Sequence, residues 1–372
     1  MAPTTQERIV VLGAGYTGLA AAKLAARWTG AEVTLVNRYD RFVERVRLHQ
    51  LATGQPLRDR PLTGLLEGTG VRLVVDRVTR IDAGARTVRT EGGHDLAYDH
   101  LIYALGSQAD LDSVPGAAEH AFTVADLDQA LELAERLGES RVVAVAGGGL
   151  TGIEAAAELA EARPELKVRL LTGGTLGSGL SERGRRYLAR ALRRLGIDVR
   201  ENARVAEVRA DGLVLDGGEH VAADTVVWTA GFTVPGIARE AGFAVDANGR
   251  LVVDATMRSV SHPEVLGIGD AAALHRPDGQ ELRMACATGM PTAQRAVRSL
   301  ADRLAGREPK PLRFRYLNQC ISLGRRDGLI QFVRADDSPV EAVLTGRLAA
   351  HYKETIVRSA FLFQRHPGIP VG

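Results

Sequence analysis

The stretch Val11-Leu12-Gly13-Ala14-Gly15-Tyr16-Thr17-Gly18 ends an apolar run that begins after Arg8. Residues 8–12 are too continuously apolar for a half-exposed strand and read as a buried parallel one. The glycines then fall at the spacing of a dinucleotide-binding turn. Gly13 permits the tight turn, Gly15 leaves room for a pyrophosphate, and Gly18 lets the next helix approach the strand. An alanine-rich helix from Tyr16 to Ala26 presents its free N–H groups to phosphate. Residues 31–37 form the next strand and complete a βαβ unit.

The same pattern returns at Gly147-Gly148-Gly149-Leu150-Thr151-Gly152. Its strand is residues 141–146, its helix runs from about Leu150 to Glu161, and residues 167–171 are the following strand. Two dinucleotide folds in one chain suggest two nucleotides held face to face. That arrangement suits electron transfer between a nicotinamide and a flavin.

With 372 residues the chain is long enough for two or three domains. Hydrophobic residues at 45% and charged residues at 25% are the balance of a globular enzyme. A formal net charge of +2 gives no reason to expect nucleic acid. Arg183, Arg185, Arg186, Arg190, Arg193 and Arg194 recur with helical period beside acids and read as a solvated helix face. Cys286 and Cys320 form no CxxC pair and have no metal-ligand spacing. Both are expected to be ordinary buried residues, without disulfide redox chemistry. The first strand starts near Arg8, leaving little room for a signal peptide, and no run reaches 18 apolar residues. A cytoplasmic protein without a membrane span is expected.

Residues 71–75 and 87–89 read as strands flanking a turn. Residues 101–106 read as a strand ending in glycine beneath a nucleotide, and Pro115-Gly116 marks a crossover. An arginine-rich helix from Ser181 to Leu195 follows the second βαβ unit, and residues 197–200 and 225–230 continue its sheet. Residues 265–270 form a strand ending in Gly-Asp, followed by a helix from about Pro291 to Ala305. After Pro309, residues 314–323 and 329–333 alternate like antiparallel strands, and a last helix covers about Arg347 to Phe363. The expected fold is α/β, with two Rossmann-like domains, the second inserted in the first, and a small α+β C-terminal domain. Residues 1–115 and 245–308 make the first, 116–244 the second and 309–372 the third.

This order resembles the FAD-dependent pyridine nucleotide oxidoreductases, and within them the type II NADH dehydrogenase, or NADH:quinone oxidoreductase-like, branch. Five ordered elements carry the resemblance: residues 11–18, 98–106, 147–154, 228–231 and 267–270. One glycine motif alone would be weak. The resemblance implies FAD on Gly13, Gly15, Tyr16, Thr17 and Gly18, with Ala104, Leu105 and Gly106 beneath it. Gly269 and Asp270 then lie near the ribityl chain or pyrophosphate, Asp270 either on a flavin hydroxyl or as a helix cap. NADH, or NADPH, is implied on Gly147, Gly149, Leu150, Thr151 and Gly152, with Thr172, Ala230 and Gly231. Glu154 is the candidate catalytic residue, close to the nicotinamide. A helix starting near Ala287 and running beyond Gln294, with Thr292 and Ala293, would face the isoalloxazine and favour negative charge there. Arg45, with Arg47, His49 and Gln50, falls in a region near the flavin, a solvated face being the alternative.

The chain departs from the family pattern at several points. Asn37 stands where a ribose-binding acid is expected, and Arg38 beside it hints at a phosphorylated ribose. Leu171-Thr172-Gly173-Gly174 also lacks an acid, and only Arg183 on the next helix offers a cation. NADH is preferred over NADPH. The last helix places Leu348, Tyr352, Ile356 and Ala360 at four-residue intervals, with Arg347, Lys353 and Arg358 off the stripe. It packs on its own domain or a second subunit, or it rests on a membrane as a peripheral contact. His351 reads as a surface residue, with a place in the acceptor pocket as the alternative. The implied acceptor is a quinone or another small electron acceptor, in an apolar channel drawing on Leu317, Cys320, Phe361 and Phe363. The rivals are reduction of a soluble redox protein, reduction of a biosynthetic intermediate, and a slow redox-sensing interaction protein. A homodimer is suggested by general frequency alone.

Overall fold

The computed structural model describes residues 6–276 and 278–369 and, at Cys286, the backbone alone. The strand Arg8–Leu12 is central in a five-stranded sheet, between Glu32–Asn37 and His100–Tyr103, with Arg72–Val75 and Val265–Gly267 at the edges. All pairings are parallel; Val10 lies opposite both Thr34 and Leu101. Both faces are covered, which is why the strand is apolar throughout. Ile9 and Val11 face a core that includes the helices Gly18–Thr29 and Cys286–Leu304. Val10 and Leu12 face the other way, onto Val78, Ile81, Val88 and Leu96 of a three-stranded antiparallel sheet. Residues 71–75 and 87–89 therefore lie in different sheets and do not flank a common turn. The strand Val78–Asp82 between them buries only its first and fourth residues, so it lacks a period-2 signal.

The second domain repeats the plan. Val142–Ala146 is central, with Lys167–Leu171 and Asp198–Arg200 on one side and Thr225–Trp228 and Ala121–Phe122 on the other, all parallel. Its helix Leu150–Ala162 follows the second glycine turn directly. Asp126 caps the helix Leu127–Arg136 by accepting from the Asp128 and Gln129 N–H groups. The helix Glu182–Arg194 buries Leu188, Ala191 and Leu192 and exposes all six arginines.

The two crossings between the domains run side by side. Gln108–Ala109 pairs antiparallel with Phe232–Thr233, so the second domain is inserted in the first. The return falls earlier than residue 244. Ala238, on the short helix Ile237–Glu240, and Phe243 are buried against Val10 and Leu12, which places them with the first domain.

The helix begins at Cys286, one residue before the start near Ala287 that the resemblance implies and five before Pro291, which lies inside it. Its first turn is made of small residues, because a Cβ on Gly289 would stand 2.7 Å from Thr17 Cγ2. The C-terminal unit has three antiparallel strands, Asn318–Ser322, Gly328–Val333 and Pro339–Thr345, and the helix Gly346–Arg365. The third strand has no fully buried residue and gave no sequence signal. This unit straddles the other two. Ile321, Leu323 and Leu329 join the second domain's core, while Leu312, Tyr316, Phe361 and Phe363 join the first's. No helix among the described residues is long and apolar enough to cross a membrane.

At both glycine turns the helix starts against the strand end, backbone to backbone. A Cβ on Gly18 would lie 1.9 Å from the Gly13 carbonyl oxygen, and one on Gly152 would lie 1.8 Å from that of Gly147. Gly18→Ala or Gly152→Ala is expected to destabilise the protein by about 3 kcal/mol, read from denaturant midpoints.

Candidate functional site

A cavity of about 1990 Å³ opens where the three units meet. That is roughly twice the upper end of ordinary ligand pockets and gives room for more than one large ligand. Of the expected residues, Gly13, Gly15, Tyr16, Thr17, Asn37, Arg38, Arg45, Ala104, Leu105, Gly106, Gly269 and Asp270 line it. From the second fingerprint only Leu150, Thr151 and Glu154 reach it. Gly147, Gly149, Thr172, Ala230 and Gly231 do not line it, and Gly18 and Gly152 serve helix–strand packing.

The glycines separate by role. Gly13 has φ +92°, and its Cβ would lie 2.6 Å from the Ala104 carbonyl oxygen; Gly147 has φ +125° and an equally close neighbour in Thr229 Oγ1. The protein's own packing explains both. Gly15 and Gly149 are different, since a Cβ on either would meet nothing within 4 Å. Their bare backbones face open space at a helix N-terminus, which fits the close approach of a pyrophosphate at each turn.

Thr292 and Ala293 are fully buried and do not face the cavity. Thr292 Oγ1 donates to the Gly289 carbonyl at 2.7 Å, and Ala293 lies in the first domain's core. Instead Ala287, Gly289, Met290 and Pro291, in the first turns of the helix, form its cavity face.

Asn37 braces the first glycine turn. Its Oδ1 accepts from the Ala14 N–H at 2.8 Å, and its Nδ2 donates to the Tyr39 carbonyl at 2.8 Å. The amide therefore serves the loop itself. Arg38 pairs with Asp126, at 3.1 Å, and with Asp128 at the start of a second-domain helix. Its charge is neutralised across the domain boundary, so it offers no free cation to a phosphorylated ribose. Arg45 Nη1 donates to the Ser107 carbonyl at 2.7 Å, and the Ser107 hydroxyl donates to Asp270 Oδ2 at 2.8 Å. Asp270 lies inside a 3-10 turn whose cap is Ile268, so it is not a helix cap.

Glu154 meets a partner that sequence reasoning did not pair with it. Its Oε1 accepts from the Ser322 N–H at 2.9 Å and forms an ion pair with Lys353 of the last helix. Burial, with Arg47 adding to it, lowers the Lys353 ammonium to about 7. Arg47 is itself tied to Glu354 at 2.8 Å. In the sequence Lys353 was only a charge off the apolar stripe; its adjacency to Glu354 within a helix of apolar residues was the available signal.

The stripe on the last helix faces outward. Leu348 is 69% exposed, Ile356 40% and Tyr352 37%, while Ala349, Phe361, Phe363 and Gln364 face inward. The helix packs inward through those residues, and of the stripe only Ala360 is packed against the core. Leu317, Cys320, Ile356, Leu362 and Phe363 line the cavity, whereas Phe361 is buried against Phe42 and His351 is exposed away from it. Cys320 is half-buried rather than buried; burial pushes its thiol up to about 12, and it donates to Asn318 Oδ1 at 3.2 Å. The expectation for Cys286 concerns a side chain outside the described ones.

Two dinucleotide folds opening onto one cavity define an oxidoreductase that brings two nucleotides together. The comparisons agree. The pyridine nucleotide-disulphide oxidoreductase family matches residues 7–299, and the chain belongs to it. An NADH dehydrogenase-like protein of Mycobacterium tuberculosis is 32% identical over 342 residues, covering 85% of this chain and 86% of that protein. A demethylphylloquinone reductase of Synechocystis is 27% identical over 370 residues, covering 93% and 92%. The solved structure of NDH2 from Plasmodium falciparum in complex with NADH superposes with a TM-score of 0.81 at 15% identity, covering 97% of each chain.

The open backbones at Gly15 and Gly149 separate the two ligands. Gly15→Ala is expected to lower flavin content in the purified protein by at least about tenfold and to leave folding stability within about 0.5 kcal/mol. Gly149→Ala is expected to keep the flavin and weaken NADH binding, read by titration of the flavin absorbance.

Proposed function

We propose that the chain oxidises NAD(P)H, with NADH preferred, through bound FAD and reduces a quinone. The observation that carries this is the single cavity that joins the first glycine turn, Glu154 at the second and an apolar rim on the C-terminal unit. The name of the Synechocystis relative, a quinone reductase, supports it. FAD, when bound, supplies a two-electron carrier between nicotinamide and quinone. The overall balance is NAD(P)H + H⁺ + quinone to NAD(P)⁺ + quinol.

The chain's own residues bind, orient and hold the proton. Gly15 and the helix behind it take one pyrophosphate, and Asp270 with Ser107 presents oxygens beside it. Leu150 and Thr151 bring the second nucleotide to the cavity edge. Leu317, Ile356, Leu362 and Phe363 give a lipophilic ring an apolar entry and limit water. Lys353 Nζ, held on Glu154, keeps a proton where a quinone oxygen needs one.

The outward stripe of Leu348, Tyr352, Ile356 and Leu362 has Arg347, Arg358 and Arg365 beside it, all exposed. This face rests on an anionic membrane surface and turns the apolar rim toward the lipid that holds the quinone.

Anaerobic stopped-flow absorbance tests the reaction. NADH is expected to bleach the flavin band and a quinone analogue to restore it; bleaching without recovery would refute the quinone assignment. The sign of the pH effect follows from Lys353, whose proton is held below about pH 7 and lost above it. The recovery rate is therefore expected to fall as pH rises through 7, and Lys353→Met to slow recovery and flatten that profile. Leu348→Glu, away from the cavity, is expected to weaken sedimentation with anionic vesicles by about tenfold or more. Its reduction of a water-soluble quinone analogue is expected to stay at the wild-type rate.

A further inference from the structure

The helix Leu150–Ala162 carries a carboxylate on nearly every turn of one face, at Glu154, Glu158 and Glu161. Glu154 lines the cavity. Glu161 is half-buried at the far end, where its carboxylate accepts from the Arg325 N–H. The loop closes so tightly over it that a Cβ on Gly324 would stand 2.6 Å from that carboxylate. Glu158, between them, is 0% exposed.

Glu158 lacks the partner a purely structural buried carboxylate would need. Its Oε1 accepts from Gln55 Nε2, but its Oε2 has no hydrogen-bond partner. Across from it, His49 Nε2 is also buried and unpartnered, 3.9 Å from Oε2. A side-chain movement of about 1 Å would bring the two atoms into hydrogen-bond contact. His49 is 6% exposed, and it lines the cavity. The cations nearby are engaged with another acid: Arg47 and Arg325 both pair with Glu354, and Lys353 pairs with Glu154.

We propose that Glu158 and His49 form a proton relay that carries solvent protons from the Glu161 end of this helix to Lys353 at the cavity. The inference rests on the quinone reading, in which each turnover takes one proton from solvent. Glu158 gives its carboxyl proton to His49 Nε2, the imidazole passes the proton on its other ring nitrogen to the Lys353 amine, which is close enough to act on the ring electrostatically, and a ring flip restores the starting tautomer. Lys353 in turn has given its proton to the quinol oxygen. Glu161 refills Glu158 from solvent. No oxidation state changes along the relay; the electrons come from NAD(P)H.

The groups facing the relay set its resting state. Burial raises the Glu158 carboxyl above the usual carboxylate range, opposed by the Gln55 hydrogen bond, Arg325 and Arg47 and reinforced by Glu161. Burial, with Lys353, Arg325 and Arg47, pushes the His49 imidazole down to about 3. Burial thus favours the uncharged form on both sides, an acid facing an imidazole across which a proton can pass toward the cavity.

Glu158→Gln keeps the shape and the Gln55 contact but cannot relay a proton. In the flavin-loaded protein it is expected to leave bleaching by NADH at the wild-type rate. Recovery with a quinone analogue is expected to slow by at least about tenfold and its solvent isotope effect to rise. Glu158→Asp is expected to restore part of the rate. Infrared spectra of the wild type are expected to show a protonated-carboxyl band that shifts in D₂O and is missing from Glu158→Gln. Equal recovery rates in Glu158→Gln and wild type would overturn the relay, as would equal slowing of both half-reactions, which marks a structural role. Wild-type protein that bleaches but never recovers with quinone would overturn the quinone reading and the relay with it.

Discussion

A helix can aim its free N–H groups at a phosphate only if its first turn nearly touches the strand before it. Here that contact is backbone on backbone, at Gly18 over Gly13 and at Gly152 over Gly147. No side chain fits in either gap. These two contacts fix how closely each helix follows its strand, and so where each helix N-terminus stands. Gly15 and Gly149 are free of that constraint, because a Cβ on either would meet nothing within 4 Å. The fold leaves room for a side chain at both, and the close approach of a pyrophosphate would be the reason for having none.

The two turns are built alike yet differ in access. The first is enclosed, with Gly13, Gly15, Gly106 and Gly269 all on the cavity wall, while the second sends only the start of its helix inside. A group at the first turn would lie within the cavity that the C-terminal unit helps to line, and one at the second would reach only its edge. This asymmetry suits a resident cofactor beside an exchanging substrate. It comes from the C-terminal unit, which shares its core with both domains and fixes their relative position across the cavity.

The sequence made legible what short-range physics determines. Apolar runs ending in glycine marked the two central strands, and Pro115-Gly116 marked the crossing out of the first domain. The strands Val78–Asp82 and Pro339–Thr345 escaped because neither has a regular buried face. Pro291 marks a helix start by its local preference, yet it lies inside the helix that begins at Cys286. The roles of Asn37 and Arg38 depend on partners at Ala14 and across the domain boundary, so position within the motif could not reveal them. His49, Glu158 and Lys353 come from three separate segments and acquire meaning only when those segments meet.

The last helix inverts the usual amphipathic pattern. An ordinary surface helix buries its apolar stripe and exposes its charges. Here Leu348, Tyr352 and Ile356 face out, while Lys353 and Glu354 face in toward Glu154 and Arg47. Burying a lysine opposes folding unless its charge is met, and Glu154 meets it. Exposing three large apolar side chains in a row disfavours the free protein in water unless something apolar covers them. Both features find one explanation if the acceptor arrives from an apolar phase and must be given a proton when it is reduced. The outer face then serves delivery of the acceptor and the inner face its protonation, and a single helix brings both to the cavity, where Ile356 and Lys353 each line the wall.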